Sequence, residues 1–391
     1  MSEPLHHALL PAGLPDMLPP DAGHEAAQIE QLVAMLASHG YERVKPPLAE
    51  FEESLLSGTG AALAHQAFRV MDPHTQRMMV TRPDMTPQVA RIATTRLAHQ
   101  PRPLRLAYAG EVLRIKGTQL RAERQFAQVG AELIGTFEPE ADAEVILLAV
   151  RALHEIGVRD LSVDLCVPTL VPALCLAWGL SKDQTQILRL ALDRKDAAAV
   201  AAVGGEPARL LEKLMAASGL AAMAMAKLEA LDLPTEADPD RNRLRHAVRL
   251  LMPKLPSDLT ITLDLVEYRG FEYQTGVSFS LFSRVVRGEL GCGGRYRAGV
   301  ERQKDGTIGE PATGFTLFTD TVMQAIPRPE PRQRVYIPAG SDLEQGQELR
   351  AKGLVTIAGL TWVSDNAAEA RRLGCDHVLT DGINLQPVGP G

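Results

Sequence analysis

The sequence is poor in two features that nucleic-acid-binding proteins need. Only 4% of its 391 residues are aromatic, and its 41 Lys+Arg are outnumbered by 48 Asp+Glu, which gives a formal net charge of −7. A basic excess drives binding to phosphates through counterion release, and aromatic side chains provide the platforms on which bases stack. Nucleic-acid binding is therefore not the expected main function, although these totals leave room for a local basic patch.

The patterns of zinc, disulfide and membrane proteins are also missing. The four cysteines are widely spaced and form no CxxC pair: Cys166, Cys175, Cys292 and Cys375. We expect reduced thiols, no metal site and no cofactor. The N-terminus has no signal-peptide pattern, and the most apolar stretch, residues 161–180, contains Asp164, Pro168 and Pro172, which disfavour a spanning helix. A soluble, cytoplasmic protein without membrane contact is expected.

The order of the predicted elements favours an α+β fold with a mostly antiparallel sheet over a doubly wound fold. Apolar spacing predicts helices at residues 21–39, 86–96 and 138–156, the second with Thr86 as its N-cap. Runs of β-forming residues predict strands at 41–44, 68–71, 78–81, 104–113, 125–134, 161–167, 259–266, 276–282 and 312–317. The strands at 104–113 and 125–134 are expected to form a hairpin with a long cationic loop.

Two changes of composition divide the chain. Residues 169–253 are rich in Ala and Leu with a helical period, which predicts a helical insertion inside a main domain that spans residues 1–327. Pro327, Pro329 and Pro331 predict a linker. Residues 332–391 then alternate strand and helix, which predicts a small α/β domain. Because so short a segment is marginal on its own, we expect it to lean on the main domain or a partner.

Two segments combine polar side chains with positions where a ligand could approach. Residues 81–86 run from a strand end into a helix start, where free N–H groups converge; Asp84 and Thr86 could instead be plain helix caps. In the strand after the cationic loop, Gln128 and Glu132 should share one face with Gly130, because alternate residues of a strand point the same way. The alternative is an ordinary exposed polar face.

A third segment is rich in glycine. It has two parts, residues 268–276 (Tyr-Arg-Gly-Phe-Glu-Tyr-Gln-Thr-Gly) and residues 291–296 (Gly-Cys-Gly-Gly-Arg-Tyr). Glycine at this density allows a backbone or a ligand to approach closely. The spacing matches neither GxGxxG nor a Walker loop, and a bulged turn explains it equally well.

Taken together, the three segments resemble the signature motifs of histidyl-tRNA synthetases. Residues 108–114 with 124–135 are similar to motif 2, residues 269–273 to the histidine-specific arginine motif, and residues 293–296 to the second histidine motif. Residues 81–86 resemble the Leu-Arg-Pro-Glu-x-Thr segment of the same family. The resemblance runs in order over about residues 11 to 325 and implies a class II synthetase fold, an antiparallel sheet flanked by helices with a helical insertion.

The sequence departs from the synthetase pattern where ATP binds. Motif 3 of the family reads Gly-Leu-Glu-Arg, but Phe318, Thr319, Asp320 and Thr321 stand here, and Lys116 replaces the usual acid after the motif 2 arginine. Losing the arginine removes a charge-assisted contact to phosphate that is worth about 1.5 to 3 kcal/mol. A phenylalanine at a glycine position should also crowd the adenine pocket. Aminoacylation is therefore expected to be lost.

The resemblance implies that the pocket for free L-histidine is retained. The implied ligands of the ammonium group are Asp84, Thr86 and Gln128, and those of the carboxylate are Arg114 and Arg269. Glu132, Tyr273 and Tyr296 are implied at the imidazole. Gln274 stands where the synthetases usually carry a second tyrosine.

A synthetase-like body with a histidine pocket, without the ATP determinants and with a short C-terminal domain, resembles the regulatory subunits of ATP phosphoribosyltransferase. That resemblance implies a non-catalytic chain that activates a short-form catalytic subunit in the first step of L-histidine biosynthesis and mediates feedback inhibition by L-histidine. It also implies a homodimer core within a hetero-oligomer, and no tRNA substrate. The alternatives are an active histidyl-tRNA synthetase and a stand-alone histidine-binding regulator.

Overall fold

The computed structural model describes residues 9–117, 121–256, 258–267, 274–302, 306, 308–380 and 384–389. The chain divides into two compact units, Met1–Pro327 and Arg328–Gly391. Within the described residues, no helix is both long and apolar enough to cross a membrane.

A large, mostly antiparallel sheet forms the centre of the first unit, as the sequence predicts. Its described strands are β1 (Glu42–Arg43), β5 (Leu104–Leu113), β6 (Gln125–Ile134), β7 (Leu161–Cys166), β8 (Gly219–Leu220), β9 (Thr260–Leu263), β10 (Gln274–Ser283), β11 (Gly291–Arg302) and β12 (Ile308–Phe318). They lie in the order β1-β5-β6-β12-β11-β10-β7-β9-β8. Only the β1–β5 and β7–β9 pairs are parallel among these described strands.

The predicted hairpin of β5 and β6 is confirmed over its whole length. Its register runs from Leu104 opposite Ile134 to Leu113 opposite Gln125. By contrast, residues 291–296 do not form a turn, because they begin β11, a strand paired on both sides by β10 and β12. The register of β10 with β11 does shift between Gln274 and Ser278, opposite these residues. Glycine is a weak strand former, so propensity alone does not predict this strand. Glycine is needed there because the neighbouring strands pack closely against its backbone.

The two faces of the sheet carry different layers. One face packs on α1 (Asp21–Ser38), α4 (Pro139–Glu155) and the insertion in one large apolar core. The other face packs on α3 (Thr86–Thr94), with a smaller apolar cluster. A small sheet precedes α3, formed by β2 (Ala49–Phe51), β3 (Arg69–Met71) and β4 (Met78–Thr81), with the short helix α2 (Glu52–Leu55) beside it.

The segment between β7 and β9 is almost entirely helical. It contains α5 (Leu170–Ala177), α6 (Lys182–Asp193), α7 (Ala197–Ala201), α8 (Gly205–Ala217), α9 (Ala221–Glu229) and α10 (Asp238–Leu251). Its buried leucines and alanines continue the core on the α4 side of the sheet. The first unit ends with α11 (Thr319–Ala325), which follows β12 directly.

The second unit is a small α/β sheet. Its elements are β13 (Arg334–Ile337), α12 (Leu343–Ala351), β14 (Val355–Ala358), α13 (Asn366–Arg372), β15 (His377–Leu379) and β16 (Leu385–Pro387). The strand order is β14-β13-β15-β16, in which the first three strands are parallel and the last is antiparallel. Two small apolar clusters, one on each side of the sheet, hold it together.

Candidate ligand-binding site

Glu132 is the centre of a buried polar network on the α3 face of the sheet. Its side chain is only 1% exposed. Thr86 Oγ1 donates to Glu132 Oε1 at 3.0 Å, and the hydroxyl of Tyr296 donates to Glu132 Oε2 at 3.0 Å. The hydroxyl of Tyr108 lies 3.3 Å from Oε1. The alternative of an exposed polar face is therefore wrong for this strand.

The partners of Glu132 among the described residues are hydroxyl groups and not cations, so no positive charge there favours its ionised form. Burial raises the pKa of Glu132 from 4.5 to about 8, and the hydrogen bonds from Tyr296 and Thr86 offset only part of that rise. Near neutral pH the group therefore sits close to the point where it gains or loses a proton. A carboxyl in this state can both donate to and accept from a neutral ring nitrogen.

Gln128 links the same strand to the segment before α3. Its Oε1 accepts from the backbone N–H of Met85 at 3.0 Å, and its Nε2 donates to Asp84 Oδ2 at 2.8 Å. Asp84 Oδ1 in turn accepts from the backbone N–H of Thr86 at 2.9 Å. The amide thus fixes the Asp84 carboxylate, which is only partly buried, at the edge of the network.

The prediction that Thr86 caps the helix is wrong. Met85 occupies the N-cap position, and Thr86 is the first residue of α3 with Pro87 in the first turn. The Thr86 hydroxyl bonds to Glu132 in another element. A longer-range polar contact therefore replaces the local capping contact that the sequence suggests.

Arg114 approaches the network from the end of β5. Its Nε donates to the backbone oxygen of Pro83 at 3.1 Å, and its guanidinium lies 4.0 Å from Asp84 Oδ2 and over the ring of Phe126. Burial lowers the pKa of Arg114, with the nearby Asp84 carboxylate opposing that effect. An arginine side chain keeps its proton in proteins, so Arg114 places a positive charge beside Asp84.

Six of the predicted site residues lie in the described part of the chain, and they converge from four elements, namely α3 with the segment before it, the end of β5, β6 and β11: Asp84, Thr86, Arg114, Gln128, Glu132 and Tyr296. Arg269 and Tyr273 lie outside the described residues. Gln274 lies at the start of β10, directly opposite Tyr296 in β11. It is 8% exposed, and its Oε1 has no hydrogen-bond partner in the described part of the chain.

Two residues of the network are absent from the predicted set. The Tyr108 hydroxyl lies between Glu132 and Thr316, 2.7 Å from Thr316 Oγ1. Gly314 faces Glu132, and a Cβ at this position would overlap Glu132 Oε2. The predicted hairpin register could have found Tyr108, since it places Tyr108 opposite Gly130. Nothing in the sequence marks Gly314, whose strand neighbour is set only by the sheet order.

The stretch that replaces motif 3 is occupied by contacts within the chain. Arg121 Nε donates to Asp320 Oδ2 at 2.6 Å, and its guanidinium lies 4.1 Å from the ring centroid of Phe318. Arg121 also donates to Thr321 Oγ1 at 3.3 Å. Phe318 is buried against Phe126 in an edge-to-face contact. This arginine of the cationic loop is thus neutralised by Asp320 rather than left to face a phosphate.

Comparisons with known proteins show the fold and the family of the chain. A model of the histidyl-tRNA synthetase family matches residues 13–322. The chain is 58% identical over 375 residues to the ATP phosphoribosyltransferase regulatory subunit of Rhodospirillum centenum, covering 96% of this chain and 95% of the relative. Among solved structures it is similar to an ATP phosphoribosyltransferase regulatory subunit/histidyl-tRNA synthetase from Bacillus halodurans, with a TM-score of 0.80 at 26% identity over 95% of this chain and 97% of that one.

A third likeness is to a chain of the ATP phosphoribosyl transferase complex from Thermotoga maritima. Its TM-score is 0.58 at 17% identity, over 75% of this chain and 97% of that one, so it shows the fold alone. The fold is therefore that of the class II synthetases, in the histidyl-tRNA synthetase family. Within this class, the chain belongs to the family of ATP phosphoribosyltransferase regulatory subunits. The predicted fold class and family resemblance are both confirmed.

Proposed function

We propose that this chain is a non-catalytic regulatory subunit of ATP phosphoribosyltransferase that binds L-histidine. In this proposal it activates a short-form catalytic subunit for the first step of L-histidine biosynthesis and transmits feedback inhibition by L-histidine. The observation that carries the proposal is the 58% identity, across 96% of the chain, to a relative that bears this name. The polar network on the α3 face supports the ligand assignment.

Each polar group of free histidine has a partner of suitable chemistry in this network. The Asp84 carboxylate, fixed by Gln128, suits the ammonium group, together with the Thr86 hydroxyl. The permanent positive charge of Arg114 suits the carboxylate. Glu132, held by Tyr296, suits an imidazole nitrogen in either protonation state. Arg269 and Tyr273 complete the proposed site through the family resemblance.

The contacts of residues 318–321 support the absence of synthetase activity. A nucleoside triphosphate needs fixed cationic donors at its phosphates. Thr321 provides none, and Arg121 is already paired with Asp320. The buried ring of Phe318 fills space beside Arg121. Binding of histidine without activation of its carboxylate is the chemistry that remains.

Feedback inhibition requires an energetic difference between two states of the complex. Histidine can shift the balance only if it binds the inhibited assembly more tightly than the active one. We propose a homodimer core, as the class II resemblance implies, inside a hetero-oligomer with the catalytic subunit. In this proposal the ligand contacts both α3 and the sheet, which Thr86 and Glu132 already join, so it can shift two elements that a partner could sense.

The direct test of the non-catalytic role is histidine-dependent exchange of pyrophosphate into ATP by the purified chain. No exchange is expected, whereas addition of the chain to a short-form catalytic phosphoribosyltransferase should restore that enzyme's activity. Robust exchange would instead establish an active synthetase. Histidine binding without co-purification or activation of the catalytic subunit would establish a stand-alone regulator.

The ligand assignment is tested with Glu132→Ala in the reconstituted complex. We expect weaker histidine binding and relief of feedback inhibition, while activation of the partner is largely kept. Glu144→Ala is a matched control, because Glu144 also accepts from a tyrosine, Tyr41, but lies on α4, on the opposite side of the sheet. Unchanged histidine inhibition in Glu132→Ala, or equal relief in both variants, would show that the pocket is misassigned.

A further inference from the structure

The C-terminal unit has the topology in which α/β sheets bind ligands. The chain runs from β13 to β14 on one side, and then crosses back to β15 on the other side of β13. In such sheets the crevice outside the carboxyl ends of the strands, where the strand order reverses, is the usual ligand site. A crevice of about 560 Å³ lies there, lined by residues that follow β13 and β15. Its volume is in the range of small-molecule sites.

One wall of this crevice is an exposed indole. Trp362 is 83% exposed, far more than is usual for a large aromatic side chain. It lies against Gly340, where φ is +84° and where a Cβ would come within 2.6 Å of the indole Cζ2. Gly340 therefore lets the indole approach the backbone of the turn after β13 closely. The ring is positioned by the backbone but has its surface open.

Three side-chain amides line the same crevice as the indole. Gln345 on α12, Asn366 on α13 and Gln386 on β16 all line the crevice. For none of these three amides does the described part of the chain contain a hydrogen-bond partner. The other polar groups there are engaged: Ser341 donates to the Pro338 oxygen, and Asp342 accepts from the backbone N–H of Glu344. Each free amide can both donate and accept.

The charge of the crevice restricts the ligand further. Among the described lining residues there is no lysine, arginine or histidine, and Asp342 is the one charged group. A phosphate or another anion would find no countercharge, and Asp342 would repel it. A flat, uncharged heterocycle can stack on the indole while its donors and acceptors pair with the amides.

We propose that this crevice binds an uncharged nucleoside, with its base stacked on Trp362 and its polar groups bonded to Gln345, Asn366 and Gln386. This site is separate from the histidine network, which lies wholly within the first unit. It would give the subunit a second binding site for a small molecule. Because the described lining residues include no cationic side chain, we expect a nucleoside and not a nucleotide as the ligand.

The test uses the indole as its own reporter. The chain has two tryptophans, so Trp178→Phe in the full-length chain leaves Trp362 as the single fluorophore. Titration with adenosine should quench its emission saturably. AMP should bind at least about tenfold more weakly than adenosine, because Asp342 opposes its phosphate. Ribose alone and choline should give no saturable change.

Matched variants in this reporter background show which groups bind. Gln345→Leu should weaken adenosine binding about tenfold, the loss of one well-formed hydrogen bond. Gln347→Leu is the control, since Gln347 is on the same helix but exposed and away from the crevice; its affinity should equal that of the parent. Isothermal calorimetry of Trp362→Ala provides a readout without fluorescence and should show no binding.

Three results would overturn the proposal. These are no saturable binding of adenosine, tighter binding of choline than of adenosine, and equal losses in Gln345→Leu and Gln347→Leu. The affinity of the same variants for L-histidine should equal that of the parent. This comparison separates loss of the nucleoside site from loss of the proposed histidine function, since each can fail while the other persists.

Discussion

Two consecutive residues of β11 reach two buried carboxyl groups on opposite faces of the sheet. Tyr296 bonds to Glu132 on the α3 face, and Arg295 bonds to Asp142 of α4 on the other face, with Nε 2.9 Å from Oδ1. Both carboxyl groups are almost fully buried, and burial raises the pKa of each. Of the two, Asp142 alone has a cation as its partner in the described part of the chain, and the Arg295 charge opposes the rise in its pKa.

The two carboxyl groups have different partners, and we infer different roles for them: a structural role for Asp142 and the proposed ligand-binding role for Glu132. Arg295 also donates to the backbone oxygens of Thr136 and Glu138, so its donors are used within the fold. Asp142 and Arg295 thus join α4 to the sheet in a closed unit. Among the described residues Glu132 is held by hydroxyl groups and has no countercharge, which fits the ligand-binding role proposed for it.

The largest expected effect on stability comes from breaking the Arg295–Asp142 pair. Arg295→Met should lower the free energy of unfolding by about 3 to 5 kcal/mol, because it leaves Asp142 buried without its partner. Urea unfolding measures this, with Arg297→Met as the control, a half-buried neighbour two residues along the same face of β11. Arg297→Met should cost well under half as much. Similar losses in both variants would contradict the structural role of the Arg295–Asp142 pair.

The next prediction concerns the space that Glu132 occupies. Gly314→Ala places a methyl group on the Glu132 carboxylate and should destabilise the chain by about 2 to 3 kcal/mol through overpacking. Histidine binding should also be lost in the folded fraction. Gly23→Ala is the control, because a Cβ at Gly23 in α1 meets nothing within 4 Å. A stable Gly314→Ala variant with normal histidine binding would show that Glu132 moves freely, unlike Asp142.

The third prediction tests the labile proton. Between pH 4.5 and about 8 the folded chain holds a proton on Glu132 that the unfolded chain has lost, so the stability of the parent falls as pH rises through this window. Relative to Glu132→Gln, the parent should therefore lose about 2 kcal/mol between pH 6 and pH 8, measured by urea unfolding at each pH.

Glu144→Gln is the control for this pH dependence. Its hydrogen bond from Arg105 lowers the pKa of Glu144, so its contribution is present at neutral pH and is lost only as pH falls below the ordinary glutamate range. Between pH 6 and pH 8 the parent and Glu144→Gln should change together. If the difference in stability between the parent and Glu132→Gln also stays constant from pH 6 to pH 8, Glu132 is ionised over this whole range, as a carboxylate paired with a cation would be.

The comparison also shows how far the sequence alone could lead. The hairpin β5–β6 and the shared face of Gln128 and Glu132 follow from alternation, which is local. The strand at Gly291–Arg302 and the role of Gly314 do not, because glycines there are selected by side chains from other strands. The hydroxyl of Thr86 was likewise expected in a local cap, but it bonds to Glu132, 46 residues away. Local patterns predict helices and strands, but the neighbours of a site residue depend on contacts between segments that are distant in the sequence.

The smallest expected effect is that of Gln274, whose Nε2 donates to the Gly293 oxygen while its Oε1 has no partner in the described part of the chain. Gln274→Leu removes a buried acceptor that has no partner among the described residues and should raise the free energy of unfolding by about 1 kcal/mol. Gln88→Leu is the contrasting variant, because Gln88 is equally buried but bonds to Pro47, Glu50 and Arg82; it should lose about 2 kcal/mol or more. If both variants are destabilised alike, Gln274 is a hydrogen-bonded structural residue, as Gln88 is. If only Gln88→Leu is destabilised, while Gln274→Leu binds histidine less tightly, the unpaired oxygen belongs to the ligand.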